Sequence, residues 1–215
     1  MMRPILALDV ATSRACACLI NAEGKVFTAE ASGGKQHSDT VLPLLQNILK
    51  QADLTWPDLK MLALGQGPGS FTGLRVAAAT LAGINASLQL PIWGLSSLAI
   101  TAMQTQSDRP VWVLEDARAG EVFAGYYEQG ECLKDDACKS WGEFQGKSSE
   151  PFAAQQEPAV SLVGWQRLPL QIGRAEAMSL LIQALWDKTD HALHTRWIQP
   201  VYLQLSQAEK NLQHV

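Results

Sequence analysis

The chain contains no His-Glu-x-x-His and no Cys-x-x-Cys, and each absence removes a chemistry. The first excludes a helix-borne zinc protease site; the second excludes a dithiol redox centre or a zinc knuckle. Histidine is scarce, at 4 of 215 residues. His191 and His194 could share a helix face, but no acidic or thiol cluster accompanies them, so no metal site is expected. His37 precedes the first long helix and reads as a cap or surface residue. Basic charge is also short: 17 Lys and Arg against 21 Asp and Glu leave a net charge of -4. That argues against a basic nucleic-acid surface acting alone, though not against RNA contact inside an assembly. No long apolar run exists either. The longest weakly polar stretch, 76–100, carries Asn85, Ser87, Gln89, Pro91 and Gly94, whereas a bilayer helix needs about 20 mostly apolar residues. Asp9 interrupts the apolar N-terminus, which reads as a core strand of a cytoplasmic protein rather than a signal peptide. Cys16, Cys18, Cys132 and Cys138 read as reduced packing residues.

What is present is an alternation of strands and helices. Apolar runs at 5–10 and 15–20 predict buried strands, and 26–31 alternates like an edge strand. Val41, Leu45, Ile48, Leu49 and Ala52 recur with helical period after Ser38, Asp39 and Thr40, all competent caps. Leu42 and Leu44 widen that apolar arc beyond one core contact, which points to a second packing partner. Residues 60–65 predict a strand, 72–88 a helix, 91–95 a short strand and 96–104 a further helix. The expected class is therefore α/β, with parallel pairs beside an initial meander.

The second half repeats the plan. "VWVLEDARAGEVFAGYYEQGE" (111–131) and "ILALDVATSRACACLINAEGK" (5–25) each run strand, Asp, polar turn, strand, glycine turn. Asp9 to Gly24 spans 15 positions and Asp116 to Gly130 spans 14, the mark of a diverged internal duplication. Two lobes are expected, 1–105 and 106–215, the second degenerate. Within it, 132–158 reads as loop-rich, 160–164 as a strand, Met178, Leu181, Ile182 and Leu185 as a helix face, and the stretch around Pro200 as extended.

Two segments carry candidate chemistry. Asp9 ends a strand and is followed by Thr12 and Ser13, an arrangement that can offer a carboxylate to magnesium and backbone amides to phosphate. The turn Val10-Ala11-Thr12 lacks the glycine such an approach wants, which favours a hydrogen-bonded turn closing a core strand. The second segment is "GQGPGSFTGLR" (65–75). Gly67 and Gly69 permit unusual backbone angles, Ser70 or Thr72 can cap the next helix, and its N-terminus with Arg75 could attract an anion. No Lys-Ser/Thr pair follows the glycines and Ser70 is not within Gly-x-Ser-x-Gly, so the loop is neither a P-loop nor a nucleophile elbow. Asp9, Thr12, Gly67, Gly69, Ser70 and Thr72 are thus the nucleotide-site candidates. Asp116 and Arg118 flank a turn and read as a local ion pair. Small residues Ala77, Ala78, Ala79, Ala82 and Gly83 let another helix approach closely. No triad, acid–base pair or metal cluster emerges, so no catalytic residue is assigned.

The pattern "LALDVATS…HSDTVLPLL…GQGPGSFTGLRVAAATLAGI…LPIWGLSSL…DARAGEVF…PVYLQ" resembles the TsaB (YeaZ) family, part of the bacterial machinery that places threonylcarbamoyl on adenosine 37 of ANN-decoding tRNAs. The resemblance covers nearly the whole chain; it departs at Gln204, where arginine is expected. It implies an actin-like ATPase-superfamily (RNase H-like) fold and a noncatalytic partner of TsaD. In TsaD-like proteins the segment corresponding to "GLSSLAI" (94–100) carries metal-binding histidines, and this chain has none there. The resemblance further implies docking of TsaD through N-terminal lobe helices, homodimer formation through the same surface, a TsaE-like ATPase in the complex and tRNA contact through it. No cofactor is expected on this chain; ATP or ADP and metal are expected on the partner subunits. Leu42, Leu44, Leu45, Ile48, Arg75, Ala78, Ala79, Ala82 and Gly83 are the expected interface. The competing readings are an enzyme of the same fold, either a glycopeptidase-like hydrolase or an ATPase, and a homodimeric binding module. Replacement of Asp9 by Ala is expected to leave TsaD binding largely intact.

Overall fold

The computed structural model of the chain describes residues 4–31, 37–145, 150–190 and 195–204, with the backbone alone for residues 37 and 38. Strands β1 (Ile5–Asp9), β2 (Cys16–Ile20), β3 (Val26–Glu30), β4 (Met61–Gly65) and β5 (Ile92–Leu95) form one sheet in the order β3-β2-β1-β4-β5. β1 runs antiparallel to β2 and parallel to β4. Every residue of β1, β2 and β4 is buried, which explains their near-continuous apolar runs: both faces are covered.

Alternation decides what covers each face. Leu6, Leu8, Leu19, Leu62 and Leu64 pack against helices α1 (His37–Gln51) and α2 (Phe71–Leu88). Ile5, Ala7, Cys18, Ile20 and Ala63 face the opposite way, toward α3 (Ser97–Gln104) and α4 (Arg174–Trp186). Each fully buried Leu or Ile among them contributes roughly 1.5–3 kcal/mol.

The second sheet comprises β6 (Val111–Arg118), β7 (Glu121–Glu128), β8 (Glu131–Ser140), β9 (Pro151–Ala153) and β10 (Gln166–Arg167), in the order β10-β9-β6-β7-β8. Its first strand pairs antiparallel with its second and parallel with its fourth. The two sheets thus share one connectivity, and the duplication read from the Asp-to-Gly spacing is real at the level of topology. The second copy is reduced. β9 and β10 are 3 and 2 residues long, and among the described residues no α-helix intervenes between β8 and β9 or between β9 and β10. Helices α3 and α4 lie between the sheets, α4 against β2 and β3, α3 against β6 and β7. The clip from α3 to the second sheet is polar: Ser96 Oγ donates to Asp136 Oδ2 at 2.6 Å, and Tyr127 donates to the other oxygen.

Two expectations fail. The stretch 132–158, expected as loop-rich, takes in all but the first residue of β8, 10 residues long. β8 is an edge strand, largely exposed along its first half and paired with β7 through two register shifts, so it shows little of the period-2 signal that a half-buried strand displays. Residues 160–164, expected as a strand, form a turn in which Trp165 N donates to Leu162 O at 3.3 Å. Their apolar side chains Val160 and Leu162 pack from that loop onto Phe144, Phe152 and Trp165, so the short apolar run reflects burial and not pairing.

Candidate functional site

β1 ends at Asp9, which is fully buried. Its carboxylate is engaged by the chain on both oxygens. Oδ1 accepts the Nε–H of Arg174 at 2.9 Å and the Ala11 amide at 3.2 Å; Oδ2 accepts the Ser97 hydroxyl at 2.6 Å. Arg174 is itself buried and spends its other nitrogens on Thr101 Oγ1 and on the Ser97 carbonyl, both at 2.8 Å. Burial pulls the Arg174 pKa down, but the facing Asp9 carboxylate, with Cys16 and Glu115 adding to it, holds the guanidinium above its ordinary value. Asp9 therefore has a protein cation where the sequence allowed a bound metal.

The glycine loop lies directly against this turn. Gly67 adopts φ +105, open to glycine at little cost. Its amide donates to Ser97 Oγ at 3.1 Å, and Ser97 N donates to Gly67 O at 2.8 Å. Ser70 N donates to Ala11 O at 2.8 Å, and the Ser70 side chain caps α2 by accepting from Gly73 N at 3.2 Å. A Cβ at Gly73 would stand 2.0 Å from the Val10 carbonyl. The glycines here allow helix and strand to touch. The turn hydroxyl of Thr12 is spent locally, accepting from Arg14 N and donating to Arg14 O.

Above the loop opens a cleft of about 530 Å³. Thr12, Gly69, Ser70 and Thr72 line it, while Asp9 and Gly67 lie beneath its surface. The opposite wall holds Glu115, Arg118, Gln155 and Gln204. Glu115 is partly exposed as a residue, but its carboxylate turns inward and receives the Gln155 amide on both oxygens, at 3.0 and 3.1 Å. Burial raises it to about 7, against the opposing pull of the Gln155 amide and Arg174. Sequence reasoning missed Glu115, Gln155 and Arg174. One signal for Arg174 existed: it opens α4, where a cation opposes the helix macrodipole and so needs another reason to be there. Asp116 and Arg118 do not pair through their side chains; Asp116 Oδ1 accepts the Arg118 backbone amide at 3.2 Å and the Trp141 indole at 3.5 Å. Among the described residues no group of three His, Cys, Asp or Glu could hold a metal; His191 and His194 lie outside them. Among the described residues, too, no helix is long and apolar enough to cross a membrane.

The expected interface residues divide. Leu44, Leu45 and Ile48 are buried under the first sheet at 9%, 0% and 0% exposure, so they are core and not available to a partner. Apart from Leu42, the arc that looked too wide for one contact is consumed by the sheet and by α2 together. Leu42, at 43%, faces solvent. On α2, Arg75, Ala79 and Gly83 are exposed, and Ala78 and Ala82 are half-buried. Nothing lies within 4 Å of where a Gly83 Cβ would stand. Arg75 sits 3.8 Å from the Phe71 ring and donates to the Tyr202 hydroxyl at 3.3 Å. Gln204, expected as Arg, donates to Ala117 O and to Glu121, tying the tail to the second sheet.

The family model described as TsaD, tRNA N6-adenosine threonylcarbamoyltransferase, matches residues 26–145. The tRNA threonylcarbamoyladenosine biosynthesis protein TsaB of Escherichia coli (strain K12) is 35% identical over 130 residues, 59% of this chain and 56% of that protein. TsaB of Haemophilus influenzae (strain ATCC 51907 / DSM 11121 / KW20 / Rd) is 32% identical over 143 residues, 65% of this chain and 58% of that protein. The match thus spans little more than half the length of these relatives. The crystal structure of an uncharacterized protein with similarity to peptidase YEAZ from Pseudomonas aeruginosa superposes with a TM-score of 0.75 at 26% identity, covering 94% of this chain and 100% of that one. That superposition shows a shared fold over nearly the whole chain, and the α/β architecture with two sheets of one strand order agrees with the actin-like class that the resemblance implied. With the family pattern running from β3 to just past β8, the chain belongs to the TsaD family, its matched relatives being TsaB (YeaZ) proteins.

Proposed function

We propose that the chain is a noncatalytic scaffold and activator subunit in tRNA threonylcarbamoyladenosine biosynthesis. In this reading it docks a TsaD-like subunit, with a TsaE-like ATPase joining, and supports threonylcarbamoyl transfer to adenosine 37 of ANN-decoding tRNAs. Alone, it pairs with itself through the same surface. The lobe 1–105 carries the docking helices, and 106–215 buttresses them. ATP or ADP and metal belong to the partner subunits.

The observation that carries this reading is the engagement of both Asp9 oxygens by Arg174 and Ser97. The glycine loop and the first turn border a cleft, but the carboxylate beneath it is held by a guanidinium. The docking surface is the outward ridge of α2, with Arg75, Ala79 and Gly83, joined by Leu42 of α1. Small residues there allow helix axes to approach to about 8 Å. The names of the TsaB relatives support the pathway. The test is reconstituted threonylcarbamoyl transfer to tRNA with and without this chain. Wild-type chain should stimulate transfer, and Gly83→Trp should abolish both stimulation and docking. ATP hydrolysis by the isolated chain at a rate matching transfer would overturn the reading.

One observation favours an enzyme instead: Glu115, raised to about 7, sits in the cleft wall where a general acid or base would. Glu115→Gln separates the two. A scaffold keeps its stimulation of transfer in that variant, whereas a hydrolase using Glu115 loses its activity.

A further inference from the structure

We infer that Arg174, Asp9 and Ser97 form a buried positioning chain that sets the first turn of α2 from α4. The inference rests on the docking role proposed for α2 only in what the positioning is for. Arg174 comes from the second half of the sequence, yet it grips Asp9 at the end of β1 and both the Ser97 carbonyl and Thr101 of α3. Ser97 passes the constraint on. Its hydroxyl donates to Asp9 and accepts from Gly67 N, and its amide donates to Gly67 O. From Gly67 the loop runs three residues to Ser70, the cap of α2, whose amide is held by Ala11 O in the turn that Asp9 itself closes.

The loop has no slack in which to absorb a shift. A Cβ at Gly69 would lie 2.6 Å from Ala11 O, and one at Gly73 2.0 Å from Val10 O. Displacing the Asp9 turn therefore displaces the α2 N-terminus, and with it Phe71 and Arg75, which stack on each other at the surface. The exposed end of that chain is one end of the helix carrying the ridge. The network does in this protein what a bound ligand does in a cleft that has one: it fixes the loop, using a cation built into the chain.

The experiment is amide hydrogen exchange on the full chain, read at Gly67, Ser70 and Gly73. Ser97→Ala removes the hydroxyl that joins Asp9 to the Gly67 amide and leaves the Arg174–Asp9 contact and the Ser97 N to Gly67 O bond in place. Exchange at those amides should rise at least about tenfold, while the amides of β7 stay protected. Arg174→Ala should raise the same amides, and millimolar methylguanidinium should restore their protection. A control, Leu181→Ala, lowers the stability of α4 without touching the network and should leave the loop amides no more exposed than the rest of the fold. If Ser97→Ala leaves the loop amides unchanged, or if methylguanidinium restores nothing, the inference is overturned. Failure of the docking reading looks different: Gly83→Trp would then leave partner binding intact while the exchange results stand.

Discussion

Asp9 and Arg174 stand 165 residues apart in the chain, yet Nε of one donates to Oδ1 of the other at 2.9 Å, in a contact shielded from solvent. Removing either partner strands a buried charge, so Arg174→Met and Asp9→Ala should each lower unfolding free energy by about 3–5 kcal/mol in urea titrations. This revises the expectation that Asp9→Ala would leave partner binding intact: the residue is part of the core, and its loss reaches the glycine loop. The double variant Asp9→Asn/Arg174→Met should recover a large part of the loss.

Glycine 73 and glycine 83 occupy the same helix and should answer substitution with opposite signs. Gly73→Ala drives a methyl into the Val10 carbonyl and should cost about 3 kcal/mol or more, since backbone and not a flexible side chain must yield. Gly83→Ala meets nothing within 4 Å and should stabilise by about 0.5–1 kcal/mol through helix propensity. Thermal melts of the two variants check the pair.

Glu115 makes stability depend on pH. Its carboxyl is raised from 4.5 to about 7 in the folded chain. The folded state therefore holds a proton that the unfolded state has released between those values. Its contribution is fullest below the unfolded pKa and is lost as pH rises toward 7, by up to about 3 kcal/mol. Glu115→Gln should flatten the stability profile between about pH 4.5 and 7 and raise the melting temperature above it. An unchanged slope in that window would show that Glu115 is not the group responsible.

Thiol reagents should distinguish the four cysteines. Cys16 and Cys18 are buried, and burial raises both thiols well above their ordinary value. Cys132 is exposed. In native protein, Ellman's reagent should react with Cys132 first and with Cys138 more slowly. Cys16 and Cys18 should react only on unfolding.

Much of the fold was legible because its signals are local. The apolar runs of β1, β2 and β4, broken in β1 by Asp9 alone, announce a two-faced sheet, and the helical period after Ser38 announces α1. Repeated Asp-to-Gly spacings exposed a duplication that the shared strand order bears out. β8 escaped because an edge strand needs no apolar face. Residues 160–164 misled because a loop over aromatic rings buries apolar side chains as a strand does.

The amino-acid sequence alone determined the α/β alternation, the duplicated plan and the glycine loop that starts α2, since each depends on neighbours within a few residues. Only tertiary structure decided whether Asp9 was free to take a ligand and whether Leu44, Leu45 and Ile48 faced a partner or a sheet. A carboxylate's role depends on which charge packs against it, and here that charge arrives from α4. Nothing in the spacing along the chain could say that Arg174 would end its path within hydrogen-bond reach of Asp9.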